Sequence, residues 1–330
     1  MINRNIVTNL QTCCAGTSIF LNAILIFLII KKSPEHLGSY RFFMIYMAIL
    51  EIIYSVADFL ISPQFVSHGS TFLIIFTKTN YISDPNVLLI LGCIYCGFFG
   101  SFMFLFAIQF IYRFFVVTRS KKLETFNDYR IIFWFLTPVL LGAIWGTLAY
   151  LFMNPSIKFE EAEKVLIEKI DLPMDKFVYI GATFYQNDGL QKHVVIETLL
   201  MISFKLALMA ISFVCIIYFA SRTFLRLRAL LSLTSQRNSR IQFQTFYALV
   251  TQAVIPITLM HFPCTIVLVA SVFDFELGYY GGICAFTSAL FPAIDPLPVM
   301  LIIQNYRGTL LNVINAPAGI FRKRAVSINK

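Results

Sequence analysis

The chain has 330 residues, of which 58 % are apolar and only 13 % charged, with 35 phenylalanines and a formal net charge of +9. That mix excludes an ordinary soluble domain, where apolar and charged residues are closer to balance. The basic residues flank long apolar runs, which assigns the positive charge to an anionic membrane surface and excludes a nucleic-acid partner.

A bilayer crossing needs roughly 20 consecutive, mostly apolar residues. In chain order such runs cover Leu10–Ile30, Phe42–Phe65, Val87–Val117, Ile131–Met153, His193–Phe219, Ile241–Phe273 and Gly281–Ile303. Seven crossings with short connections use up the length, so residues 1–330 read as a single seven-transmembrane helix bundle, an all-α membrane protein. The polar start lacks a basic n-region and leads straight into the first run, which is expected to act as its own insertion signal.

Lysine and arginine in the connections set the orientation. The segments 31–41, 118–130, 220–240 and 304–330 carry most of the basic residues, Arg226 and Arg228 among them, and the last two contain no acid. The long 154–192 connection balances five lysines with Glu160, Glu161, Glu163, Glu168, Asp171, Asp175 and Asp188. This bias predicts the N-terminus outside and a cytoplasmic tail over 304–330. The 154–192 connection either folds over the outer mouth of the bundle or lies free on its surface.

Ionisable groups inside lipid cost several kcal/mol, so each is a functional candidate. Glu51 and Asp58 lie seven residues apart on one face of the second run, and Asn22 and Lys205 sit within the first and fifth. Asp295 stands in Phe291-Pro292-Ala293-Ile294-Asp295-Pro296-Leu297-Pro298. These prolines remove backbone donors, leaving carbonyls for a side chain or water to satisfy and a segment suited to two arrangements. Asn22, Glu51 and Asp58 are therefore candidates for an intramembrane polar network, and Asp295 is expected to join Asn22 and one of Glu51 or Asp58 in it, with Lys205 on a different side. Arg113 closes the third run and, by position alone, could simply snorkel to lipid phosphates.

Soluble-enzyme signatures are missing: there is no phosphate-binding Gly-rich loop, His-Glu-x-x-His or paired Cys-x-x-Cys. The expectation is a non-enzyme with no metal and no cofactor. All seven cysteines fall in the apolar runs, so no disulfide can pin the 154–192 connection.

Several stretches resemble the nematode serpentine chemoreceptors of class r (the Str group), a divergent branch of the G-protein-coupled receptors. They are Asn22 with its apolar run, Leu37-Gly38-Ser39-Tyr40-Arg41, Glu51-Ile52-Ile53-Tyr54-Ser55, Phe110-Ile111-Tyr112-Arg113-Phe114, and Gln252-Ala253-Val254-Ile255-Pro256. The most specific is the Asp295 block, continuing through Ile302-Ile303-Gln304-Asn305-Tyr306-Arg307. The resemblance implies an olfactory receptor in the plasma membrane, in the cilium of a chemosensory neuron. It would bind a small odorant-like molecule and activate a heterotrimeric G protein; a transporter or channel is the alternative. It also implies G-protein coupling and activation through Tyr112, Arg113, Asp295, Pro296, Arg226 and Arg228. No acid precedes Arg113, so its resting partner is left open. Expected pocket walls are Cys96, Phe98, Phe99, Phe102, Phe204, His261, Phe262 and Phe286, since apolar aromatic walls suit a volatile or lipophilic ligand.

Overall fold

The computed structural model describes residues 4–33, 37–155, 174–187, 192–230, 236–275, 277 and 280–312. Among these, seven helical stretches are long and apolar enough to cross a membrane, and together they form a seven-transmembrane bundle. The first four crossings are α1 (Arg4–Lys32), α2 (Tyr40–Ile61), α3 (Pro85–Thr118) and α4 (Ile131–Met153); the fifth is α5 (Ile196–Leu230). The sixth consists of α6 (Gln236–Pro256), a π-helical turn over Ile257–His261, and α7 (Phe262–Val272). The seventh is α8 (Tyr280–Ile294) followed by α9 (Pro296–Ile302). A last helical segment runs over 304–312.

Local chemistry moves several boundaries from those read in the sequence. The second crossing ends at Ile61 and not at Phe65, because Ser62 takes a left-handed conformation and Pro63 cannot continue the helix. The third begins at Pro85, where the Asp84 Oδ1 accepts the backbone N–H groups of Asn86 (2.8 Å) and Val87 (3.3 Å). The fifth starts three residues after His193 and continues past Phe219 to Leu230, with Thr223 and Leu227 inward and Arg222, Arg226 and Arg228 exposed. In the sixth, Pro256 lacks the N–H that would reach the Gln252 carbonyl. The ladder resets by one residue, and the Phe262 N–H donates to the carbonyl of Ile257.

An addition to the all-α expectation is a three-stranded antiparallel sheet at one end of the bundle, made of β1 (Gln64–His68), β2 (Thr71–Thr77) and β3 (Phe177–Thr183) in the order β1-β2-β3. Two further short strands, β4 (Tyr185–Asn187) and β5 (Lys192–Val194), pair with each other. His68 pairs with Thr71, so Gly69 and Ser70 form a two-residue hairpin loop, and Gly69 supplies the positive φ it needs (+55°). The described part of the 154–192 connection thus joins a sheet across the bundle mouth; its acidic 156–173 stretch lies outside the described residues, as do Arg322, Lys323, Arg324 and Lys330 of the tail.

Helix α3 is the central post: 72 % of its most apolar stretch is buried, against 17 % for α4. Outward residues such as Phe20, Phe133, Leu140, Leu200 and Val214 stay exposed, which only a lipid environment tolerates over so large an area. The α3–α4 contact is made by glycines. A Cβ on Gly97 would lie 2.6 Å from the Gly142 carbonyl oxygen, and one on Gly146 would lie 2.7 Å from that of Cys93. Small residues of this kind let membrane helices approach backbone to backbone. Gly146→Ala is therefore expected to destabilise the detergent-solubilised protein by about 1–3 kcal/mol in thermal unfolding. Gly16→Ala, with nothing within 4 Å of the new methyl, is expected to be neutral or stabilising by up to about 1 kcal/mol.

Candidate functional site

Beneath the sheet lies a cavity of about 110 Å³. Phe65 of β1 and Phe72 and Ile74 of β2 roof it. Its walls come from Cys96 and Phe99 of α3, Trp145 and Met153 of α4, Ile202, Lys205 and Met209 of α5, His261 of the π turn, and Cys264, Thr265 and Leu268 of α7. An apolar cavity of roughly 150 Å³ accepts benzene, so this one suits a solute of only a few heavy atoms.

Of the expected pocket walls, the structure places Cys96, Phe99 and His261 around this cavity. Phe102 is fully buried elsewhere, its ring against Tyr54 (5.6 Å), Phe98 (5.7 Å) and Phe291 (4.9 Å), so it is core and not wall. Phe98 lines a second hollow, on the outer face between α3 and α4. Phe204 and Phe262 point outward, 49 % and 64 % exposed. One helical step is about 100° of rotation; Lys205 and His261 face inward, so the residue before the first and the residue after the second are turned toward lipid. Phe286 is half-buried on α8 and lines neither hollow. The sequence reading missed Lys205 and the roof. Lys205 is 5 % exposed and does face the cavity. Its Nζ lies 4.0 Å from the Met153 sulfur and 5.5 Å from the centre of the Trp145 ring.

A polar cluster occupies the middle of the bundle. Pro292 and Pro296 donate no N–H to the carbonyls four residues back, and side chains take their place. The Tyr54 hydroxyl reaches the Ser288 carbonyl (3.3 Å), and the Asn22 Nδ2 donates to that of Pro292 (3.1 Å). The Glu51 side chain meets those of Asp295 and Asn22. From the sixth crossing the Gln252 Nε2 donates to the Asp295 carboxyl (2.6 Å) and approaches its carbonyl (3.2 Å). Asn22, Glu51 and Asp295 are therefore brought together, and Gln252 joins them. Asp58 stands apart: it accepts from the Tyr95 hydroxyl (3.0 Å), which in turn bonds that of Tyr54 (2.8 Å).

Arg113 lies near the opposite end from the sheet and is 2 % exposed, so it does not snorkel. Its guanidinium sits 4.3 Å above the Tyr40 ring, and Nη1 donates to the Gln242 side chain on α6 (3.0 Å). Nε and Nη2 have no partner among the described residues. Tyr112 faces α2, stacked on Tyr40 at 6.0 Å and edge-on to Phe126 at 5.1 Å. Nearby, the Tyr306 hydroxyl bonds that of Ser33 (2.6 Å), and burial raises the Tyr306 pKa above its usual value. Pro296 is buried, while Arg226 and Arg228 are exposed on the last turns of α5. Gln242 and Gln252, one near each end of α6, are two of its several polar residues, and their amides are the sequence signal for both contacts among the described residues.

The family described as serpentine type 7TM GPCR chemoreceptor Str matches residues 7–311. Three relatives from Caenorhabditis elegans are similar over most of the chain. The G-protein coupled receptor str-217 is 33 % identical, over 92 % of this chain and 89 % of that protein. The serpentine receptor class r-10 is 27 % identical over 87 % and 84 %, and the G-protein coupled receptor str-33 is 24 % identical over 88 % and 86 %.

Proposed function

Because this chain belongs to the serpentine Str family of seven-helix G-protein-coupled chemoreceptors, we propose that it is a sensory receptor of the plasma membrane that binds a small environmental molecule beneath the sheet and activates a heterotrimeric G protein at the Arg113 end. The N-terminus and the sheet then lie outside, and the basic connections and tail lie in the cytoplasm, in keeping with the lysine and arginine bias.

One observation carries this reading. A single crossing bears His261 in the cavity wall, Gln252 on Asp295, and Gln242 on Arg113. Its helical ladder is interrupted between the first of these and the other two, at the π turn over Ile257–His261. Such an interruption is a ready hinge. A ligand that displaces His261 moves the hinge, and the same rigid segment then alters both lower contacts. This is a two-state element that both ends bias. Asp295 and Pro296, which break the seventh crossing, supply the second joint.

The test is an odorant panel applied to cells expressing the receptor with a G protein, read as nucleotide exchange and in parallel as ion current and solute uptake. Odorant-dependent exchange without current or uptake is expected; the reverse pattern favours the transporter or channel reading. In the same cells a tag after Lys330 is expected to be shielded until permeabilisation and one near Glu163 to stain intact cells. The opposite staining inverts the topology.

A further inference from the structure

Lys205 is a cation without an anion among the described residues. Among the described residues its ammonium touches only the Met153 sulfur and the Trp145 ring face, and no aspartate or glutamate lines the cavity. Burying an ammonium in apolar surroundings costs far more than a sulfur contact and an indole face return. A lysine buried there and facing the cavity is an unfinished ion pair, open on the cavity side. His261 adds to this. It is 3 % exposed, lines the same cavity, and its Nε2 has no hydrogen-bond partner among the described residues. Two buried nitrogens therefore face an otherwise apolar space, and both suit an incoming oxygen.

We propose that this cavity is a carboxylate site, in which a short-chain aliphatic acid pairs its carboxylate with Lys205, takes a second hydrogen bond from His261, and lays its alkyl end against the aromatic roof. The inference rests on the receptor reading above and names its ligand class. Charge decides the class: an amine would meet Lys205 with like charge, and an alcohol or ketone would leave the ammonium unneutralised. Volume decides the length. A cavity of about 110 Å³, smaller than the roughly 150 Å³ that holds the six heavy atoms of benzene, admits acids of about two to four carbons and excludes a long fatty acyl chain.

The experiment uses the full-length receptor in lipid nanodiscs near neutral pH, with thermal unfolding and direct binding as readouts. Propanoate and butanoate are expected to raise the unfolding midpoint saturably; butanol, butanone, butylamine and decanoate are expected to do so weakly or not at all. This acid-over-alcohol preference is read on the unmodified receptor and needs no variant. Lys205→Met keeps the length and removes the charge. It is expected to unfold no earlier than wild type without ligand and to bind butanoate at least roughly tenfold more weakly, while Lys205→Arg retains binding. Butanol binding as tightly as butanoate, wild-type affinity in a folded Lys205→Met receptor, or no carboxylate binding at all overturns the proposal. Nucleotide exchange separates it from the receptor reading. Lys205-dependent butanoate binding with no exchange under any odorant keeps the carboxylate site and removes the receptor reading. Exchange evoked by another odorant, unchanged in Lys205→Met and not competed by butanoate, keeps the receptor and removes the carboxylate site.

Discussion

Arg113→Ala is expected to abolish odorant-evoked nucleotide exchange while leaving surface expression and ligand binding near wild type. The side chain is buried, yet two of its three nitrogens have no partner among the described residues, so much of its desolvation cost is unrecovered in this state. Removing it forfeits one hydrogen bond to Gln242 and a cation–π contact with Tyr40, together worth about 2–4 kcal/mol. Relief of the buried, under-satisfied charge offsets much of that loss. The fold therefore survives, but the Nε and Nη2 donors that an incoming carbonyl-rich partner could use are gone. Gln242→Ala provides the complementary measurement. It frees the guanidinium from α6 without removing it, so basal exchange is expected to rise as evoked exchange is preserved. Normal evoked signalling by a well-expressed Arg113→Ala receptor would sink the coupling role.

The two ends of the molecule were not equally legible. Helical crossings announce themselves because lipid demands long apolar runs, and the α3 start is written in Asp84-Pro85. The sheet was hidden by the same composition. Gln64–His68 and Thr71–Thr77 are apolar enough to extend a span, and only the Gly69-Ser70 loop between them marks a hairpin. That sheet roofs the cavity, so missing it meant missing Phe65, Phe72 and Ile74. Aromatic identity was a poor guide to the walls for a different reason. Phenylalanine is as welcome against lipid as in a pocket, and the inward face of a helix in lipid is marked by its polar residues instead. Lys205 and His261 gave the phase of their helices; Phe204 and Phe262 stand one residue off that phase and point out. Arg113 showed the opposite error, where a position suited to snorkelling concealed a buried group whose partner lies 129 residues away.

Asp295→Asn is expected to shift basal or odorant-evoked exchange several-fold at nearly wild-type surface expression, and Asp295→Leu to lose expression. The difference follows from how the polar cluster is closed. Two carboxyl groups in contact, Glu51 and Asp295, attract only when a proton lies between them. Among the described residues no basic side chain bonds either one. Asparagine at 295 preserves the shape, keeps an oxygen for the Gln252 amide and offers Glu51 a fixed N–H in place of the shared proton. Leucine leaves Gln252 and Glu51 buried without their partner, at about 1–3 kcal/mol each. The seventh crossing is already divided at Asp295, between Ile294 and Pro296, and the carbonyl freed by Pro296 is held by Asn22 from α1. A rearrangement at Asp295 thus exchanges side-chain bonds while the backbone ladder on either side stays intact. That is why a proton moved or lost here is expected to be felt as activity and not as unfolding. Equal loss of surface expression in Asp295→Asn and a Pro296→Ala control, with the surviving receptors signalling normally, would reduce Asp295 to a packing role.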